Sequence, residues 1–124
     1  RHPEMFSSCY IMSGWIDNSK SEINYDENED DCLTRVAESV HEHSAIEFVK
    51  NADASTIEKM KTVKWFIDCG DDDFLMDLSV LLHQEMRAKK VKDELRIHNG
   101  VHNWEYWHTA LRTALPFASR NFKE

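Results

Sequence analysis

Two short polar clusters could carry proton chemistry, Asp71-Asp72-Asp73 and Val101-His102-Asn103-Trp104. A histidine can accept a proton near neutral pH, and a carboxylate beside it fixes its tautomer and stabilises the imidazolium that forms. Such a pair serves a serine nucleophile in the chain order Ser, Asp, His. Asp73 and His102 stand 29 residues apart, room for one helix and one strand. If each follows a parallel strand, both lie beyond the strands' carboxyl ends, where open α/β sheets place ligands and catalytic groups. The plainer reading is that the aspartates cap a helix and the histidine packs or faces water.

Other clusters offer less. His41-Glu42-His43 invites a metal, but alternate residues on a helix point about 200° apart, so one ion cannot easily bind both rings; solvent exposure is the expectation. The acidic stretch Asp26 to Asp31 lacks the glycine and ligand spacing of a calcium loop and reads as a solvated loop. Cys9, Cys32 and Cys69 form no Cys-x-x-Cys pair and are expected as free thiols packed like small apolar residues. No metal or cofactor is expected. The chain has three glycines, where average usage would give roughly nine. A phosphate-cradling loop, a dinucleotide fingerprint and a Gly-x-Ser-x-Gly nucleophile elbow are all absent.

Elements must position the two clusters. Ser8 to Met12 is a short apolar run ending at Ser13-Gly14, a strand and turn. Asp17 to Asp31 has no periodicity and reads as a loop. Leu33, Val36, Ala37 and Val40 recur at helical spacing behind a cap at Asp30 or Asp31, and a second helix runs through Ala45, Phe48 and Val49. Asp53 introduces a third helix over Thr56 to Lys61. Val63 to Cys69 is β-rich and stopped by Gly70. Phe74, Leu75, Leu78, Leu81, Leu82 and Met86 make the apolar stripe of a long helix that frays in the basic run Arg87 to Lys92. Glu94 to His98 alternates and ends in Asn99-Gly100, another strand and turn. Trp104 to Phe122 carries Trp107, Leu111, Leu115, Ala118 and Phe122 on one helical face, with Pro116 kinking or interrupting it. Strand, helices, strand, helix, strand, helix is the α/β pattern, a mainly parallel sheet with crossover helices.

The 124 residues carry 23 acidic and 15 basic side chains, a net charge of −8, with 41% apolar and 31% charged residues. This is one domain or a piece of one. Without a basic stripe the counterion-release contribution to nucleic-acid affinity is missing, so no nucleic-acid partner is expected. No run approaches the roughly 18 apolar residues of a membrane span, and the first residues carry no signal-peptide pattern. The compartment stays open, cytoplasmic or exported with a signal upstream.

Arg1 to Tyr10 with Ser13-Gly14 resembles the segment after the nucleophile helix in the putative-esterase family of α/β-hydrolases, which includes esterase D (S-formylglutathione hydrolase) and feruloyl and acetylxylan esterases. Asp68-Cys69-Gly70-Asp71-Asp72-Asp73-Phe74-Leu75 resembles its acid loop, and Asn99-Gly100-Val101-His102-Asn103-Trp104-Glu105-Tyr106-Trp107 its Gly-x-His-x-Trp histidine loop. Ala110-Leu111 through Leu115-Pro116-Phe117 resembles its last helix, while Asp17 to Lys61 matches weakly. The resemblance implies the C-terminal portion of an α/β-hydrolase fold in a single partial domain, residues 1–124. It makes Asp73 the triad acid, with Asp72 as the competing assignment, and His102 the general base. Residues 17–61 become an acidic loop and helical insertion that could cap the site or serve as plain crossover structure. Trp104 divides evenly between lining a substrate pocket and packing, and Trp107 falls to the core.

The serine elbow would then lie upstream of Arg1, and the His2-Pro3 start reads as the end of a helix running into a loop. Strands that should flank Ser8 to Met12 would be missing, leaving an open sheet edge that a missing N-terminal half or a second copy must cover. The leading function is a serine carboxylesterase on small or carbohydrate-linked acyl esters. The alternatives are an inactive fragment or interaction module, and a carbohydrate-binding role through Trp104 and Tyr106.

Overall fold

The computed structural model describes residues 2–18 and 32–122. Strands β1 (Ser8–Met12), β2 (Lys64–Gly70) and β3 (Asp93–His98) form a three-stranded sheet in the order β1-β2-β3. Both pairings are parallel, with Ile11 opposite Ile67 and Ile67 opposite Leu95. Between β1 and β2 lie α1 (Cys32–Glu42), α2 (Ala45–Asn51) and α3 (Ala54–Met60), and between β2 and β3 lies α4 (Met76–Ala88). Helix α5 (Trp104–Arg120) follows β3 and packs back against β1. The expected α/β class with a parallel sheet is therefore what the chain forms.

Alternation along β2 explains the layers, because successive side chains leave opposite faces of a strand. Ile67, fully buried, packs into a core of Ile46, Val49, Ile57, Met60, Leu82, Met86 and Val91 from the crossover helices and their connections. Phe66 points the other way, stacks on Tyr10 with ring centroids 4.6 Å apart, and meets Phe117 of α5 edge-on at 5.2 Å. Burying each large apolar side chain of this kind contributes roughly 1.5 to 3 kcal/mol.

Local signals fix the helix starts. The Ser44 hydroxyl accepts the Glu47 N–H at 3.1 Å, Asp53 Oδ1 accepts the Thr56 N–H at 2.7 Å, and Asn103 Oδ1 accepts the Tyr106 N–H at 2.9 Å. Each satisfies a donor that a helix start leaves unpaired. The expected cap at Asp30 or Asp31, and most of the acidic loop, fall outside the described residues.

Several expectations need correction. Gly70 does not stop β2 but forms its last residue. The N-terminal stretch holds one 3-10 turn, Pro3–Met5, started by the proline whose fixed φ suits that position. The buried side of α5 is Tyr106, Ala110, Ala114 and Phe117, one residue round from the expected stripe, so Leu111, Leu115 and Phe122 are exposed. At one end of that face Phe117 meets Tyr10 and Phe66, at the other the Tyr106 hydroxyl reaches Asp68, and the alanines between them allow close approach. The helix runs through Pro116, which only forfeits its bond to the Arg112 carbonyl. Phe74 precedes α4 and is 75% exposed, and Leu81 is partly exposed. Cys69 is buried and Cys9 half-buried, but Cys32, in the first turn of α1, is exposed. Among the described residues no helix is long and apolar enough to cross a membrane.

Candidate active site

The turns that leave the carboxyl ends of β2 and β3 are joined backbone to backbone. A Cβ on Gly70 would sit 2.3 Å from the Gly100 carbonyl oxygen, so only glycine permits this approach. Around the contact the Asp71 N–H donates to the His98 carbonyl at 2.8 Å and the Asp72 N–H to the Gly100 carbonyl at 3.0 Å. The Gly100 N–H returns a bond to Asp71 Oδ1 at 2.9 Å. Acid loop and histidine loop therefore form one rigid unit.

That unit brings His102 onto Asp73. The imidazole Nδ1 lies 2.9 Å from Asp73 Oδ2 and 3.2 Å from Oδ1. Asp72, the competing acid, is exposed and meets the histidine loop through its backbone. The Asp73 side chain is fully buried while His102 keeps 30% of its side chain accessible. Burial works to raise the Asp73 carboxyl, yet the Leu75 N–H at 2.9 Å, the Ser13 hydroxyl and His102 together hold it below its ordinary value. An ionised carboxylate only accepts hydrogen bonds, so Nδ1 carries a proton, and in a neutral ring Nε2 is then the acceptor.

Two aromatic rings flank the imidazole: Phe74 at 4.7 Å and Trp107 edge-on at 4.8 Å. Trp107, expected in the core, is half-buried, and its Nε1 has no hydrogen-bond partner among the described residues. Trp104 is 71% exposed and meets Trp107 edge-on at 5.1 Å. A cleft of about 440 Å³ borders the histidine loop, lined by Asp72, Asn99, Glu105 and Thr109 among others, but not by His102.

Three features escaped the reading of the residues. Asp68 is a buried carboxylate inside β2 that accepts hydrogen bonds from the Tyr10 and Tyr106 hydroxyls. Burial first, and the bond to Asp68 second, push both phenols up. An aspartate inside an otherwise apolar strand was the available signal. The second feature is Ser13, which follows β1 with φ +46 and is buried. The third is another histidine–aspartate pair at the opposite end of the sheet. There His83 Nδ1 of α4 lies 2.7 Å from Asp93 Oδ2, with the carboxylate side chain 1% exposed. No spacing rule marks it.

The His41 and His43 rings bond different backbone carbonyls, those of Asn18 at 2.6 Å and Ser39 at 2.9 Å. No group of three or more His, Cys, Asp and Glu side chains suited to a metal ion occurs among the described residues.

Residues 1–118 match the model of the family described as Putative esterase. A solved structure titled ferulic acid esterase superposes with a TM-score of 0.91 at 36% sequence identity, over 99% of this chain and 46% of its own length. The chain thus spans about half of that protein. No curated protein matches it. The parallel sheet, the matched family model and the agreement with a solved esterase along nearly every residue converge, and the chain belongs to the Putative esterase family of α/β-hydrolase type.

Proposed function

We propose that this chain supplies the acid and base of a Ser-His-Asp carboxylesterase, the serine being carried outside these 124 residues. The observation that carries this reading is the place of the pair: a buried Asp73, its carboxyl held low, meets a partly accessible His102 in the loops beyond the carboxyl ends of two paired parallel strands. Nε2 of His102 takes the proton of the attacking serine hydroxyl, and Asp73 stabilises the imidazolium that results. The same Nε2 proton then goes to the leaving alcohol. In deacylation Nε2 takes a proton from water and returns it to the serine, which leaves the free acid. A base histidine must be neutral, so activity falls on the acid side of neutrality.

The substrates are small or carbohydrate-linked acyl esters. The family match and the neighbour titled ferulic acid esterase favour this class, and Trp104, exposed two residues from His102, is suited to stack on a sugar or aromatic acyl group. Between a cap over the site and plain crossover structure for residues 17–61, the second is favoured by Ile46, Val49, Ile57 and Met60 of α2 and α3, which pack into the core. The apolar groove of about 680 Å³ beside β1, lined by Phe6, Cys9, Ile11, Phe48, Met60 and Trp65 among others, is covered by the remainder of the hydrolase domain or by a second copy.

A fluorophosphonate serine probe on the complete chain tests this. One stable adduct per complete chain, formed with loss of fluoride and abolishing turnover of simple esters, is the expected result for the parent. His102→Ala should remove turnover, and turnover retained at the parental level refutes the assignment. The exposed Trp104 favours a second reading, a non-catalytic carbohydrate-binding module. It predicts oligosaccharide affinity with neither adduct nor hydrolysis.

A further inference from the structure

We infer that Asp68 and Tyr106 are positioning residues for the base, their hydrogen bond tying the histidine loop to the acid's own strand and so holding His102 against Asp73; this rests on the esterase reading above. Asp68 lies inside β2 and is 1% exposed. Alternation turns it to the same face as Phe66, toward α5. Each of its oxygens accepts one phenol, Oδ1 that of Tyr106 in the first turn of α5 and Oδ2 that of Tyr10 on β1. A carboxylate buried in a strand beside Ile67 and Cys69 is costly, and an apolar side chain commonly serves stability at least as well. The presence of Asp68 is better explained by what it holds than by packing.

What it holds is the far end of the histidine loop. The near end is fixed by the main-chain contact of Gly100 with Gly70 and Asp72. A single attachment leaves a loop free to pivot, and a second one beyond His102 removes the pivot. Tyr106 supplies that second attachment through three contacts. Its hydroxyl is on Asp68, its N–H donates to Asn103 Oδ1 at 2.9 Å, and its ring lies so close to Gly100 that a Cβ there would sit 2.3 Å from Cδ2. Between them the Asn103 N–H donates to the Val101 carbonyl at 2.8 Å, closing the turn that carries His102. Asp68 and Gly70 both lie on the strand that leads to Asp73, so both attachments refer the base to the acid. Burial and the bond to Asp68 push the Tyr106 phenol up, which keeps it a donor wherever the imidazole can act as a base. Tyr10 comes from β1, which carries neither member of the pair, and its loss leaves this link in place.

Two variants of the complete chain, Tyr106→Phe and Tyr10→Phe, separate positioning from stability, because each takes one donor from the same carboxylate and keeps its ring. Both should lower the urea midpoint by similar amounts. Tyr106→Phe should also lower kcat for p-nitrophenyl acetate about tenfold with KM unchanged, whereas Tyr10→Phe should keep kcat within about twofold of the parent. Tyr106→Phe is repeated in Asp68→Asn, where a neutral amide replaces the carboxylate and folding is not burdened by a bare charge; the same fall relative to Asp68→Asn is expected. A kcat in Tyr106→Phe no lower than in Tyr10→Phe, or no fall in the Asn background, overturns the inference. Without substrate, the downfield proton resonance of His102 Nδ1, identified by its absence from His102→Ala, reads the same link. It should shift or broaden in Tyr106→Phe and stay in place in Tyr10→Phe, with the His83 resonance as the internal reference. A parent with no turnover therefore refutes the esterase reading alone, while a His102 resonance unchanged in Tyr106→Phe refutes the role of Asp68 and Tyr106.

Discussion

The sheet carries a histidine–aspartate pair at each end, and the two are nearly the same as hydrogen bonds. His102 meets Asp73 at 2.9 Å and His83 meets Asp93 at 2.7 Å; both carboxylates are buried and both imidazoles keep some surface. Their settings differ. Asp73 takes a backbone N–H from Leu75 and sits in a loop locked to the histidine's own loop, with Phe74 and Trp107 against the imidazole. Asp93 begins β3, and its partner rises from α4 beside Arg87, Lys90 and Lys92 on an open surface. A short bond between a histidine and a buried carboxylate is therefore no evidence of catalysis by itself. Place in the topology separates the two, since the carboxyl ends of parallel strands gather loops from several strands.

The comparison breaks most sharply with paired alanine variants. His102→Ala should lower esterase kcat/KM roughly 10⁴-fold in the complete chain. His83→Ala should leave it within about twofold while lowering stability by about 3 kcal/mol, because Asp93 is left buried without its partner. Steady-state kinetics with urea unfolding reads both, and equal losses of activity would erase the distinction. Gly70→Ala comes next. The new Cβ meets the Gly100 carbonyl and must part the two loops, which should cost about 2 kcal/mol of stability and a hundredfold in kcat.

Acid sensitivity sharpens the contrast more gently. Asp73 is held below its ordinary carboxyl value in the folded chain, so it binds protons more weakly there than when unfolded. Its contribution to stability is complete above the unfolded value, near 4, and is lost as pH falls through the lower folded value. Urea midpoints measured from pH 7 to pH 2 should fall less steeply in Asp73→Asn than in the parent. The smallest effect belongs to the other end of the sheet. Lys90 adopts φ +58 in the turn before β3, and Lys90→Gly should gain about 0.5 to 1 kcal/mol by relieving it, with turnover unchanged.

Much of this was legible in the residues. Short β-branched and aromatic runs marked the strands, Asp53 marked a helix start, and the two polar clusters stood where a parallel sheet would bring them together. The buried side of α5 was not, because alanines lie where it faces the sheet and leucines where it faces outward. A hydrophobicity stripe follows the larger side chains, whereas close packing here selects the smaller ones. Ser13 was hidden in an ordinary Ser-Gly turn, and its conformation and its neighbour Cys69 appear only when β1 and β2 pair. The His83–Asp93 pair was invisible for the opposite reason: it depends on how α4 lies along β3, which no local pattern encodes.

The contact between Gly70 and Gly100 bears on how such a protein can diversify. With main chain touching main chain, the separation of the Asp73 and His102 loops is set by atoms that substitutions elsewhere leave in place. Exposed residues around the pair, Phe74 and Trp104 among them, can then be exchanged for others without retuning the distance between imidazole and carboxylate. Change can act on the exposed rim while the hydrogen-bonded pair at its centre is inherited unaltered.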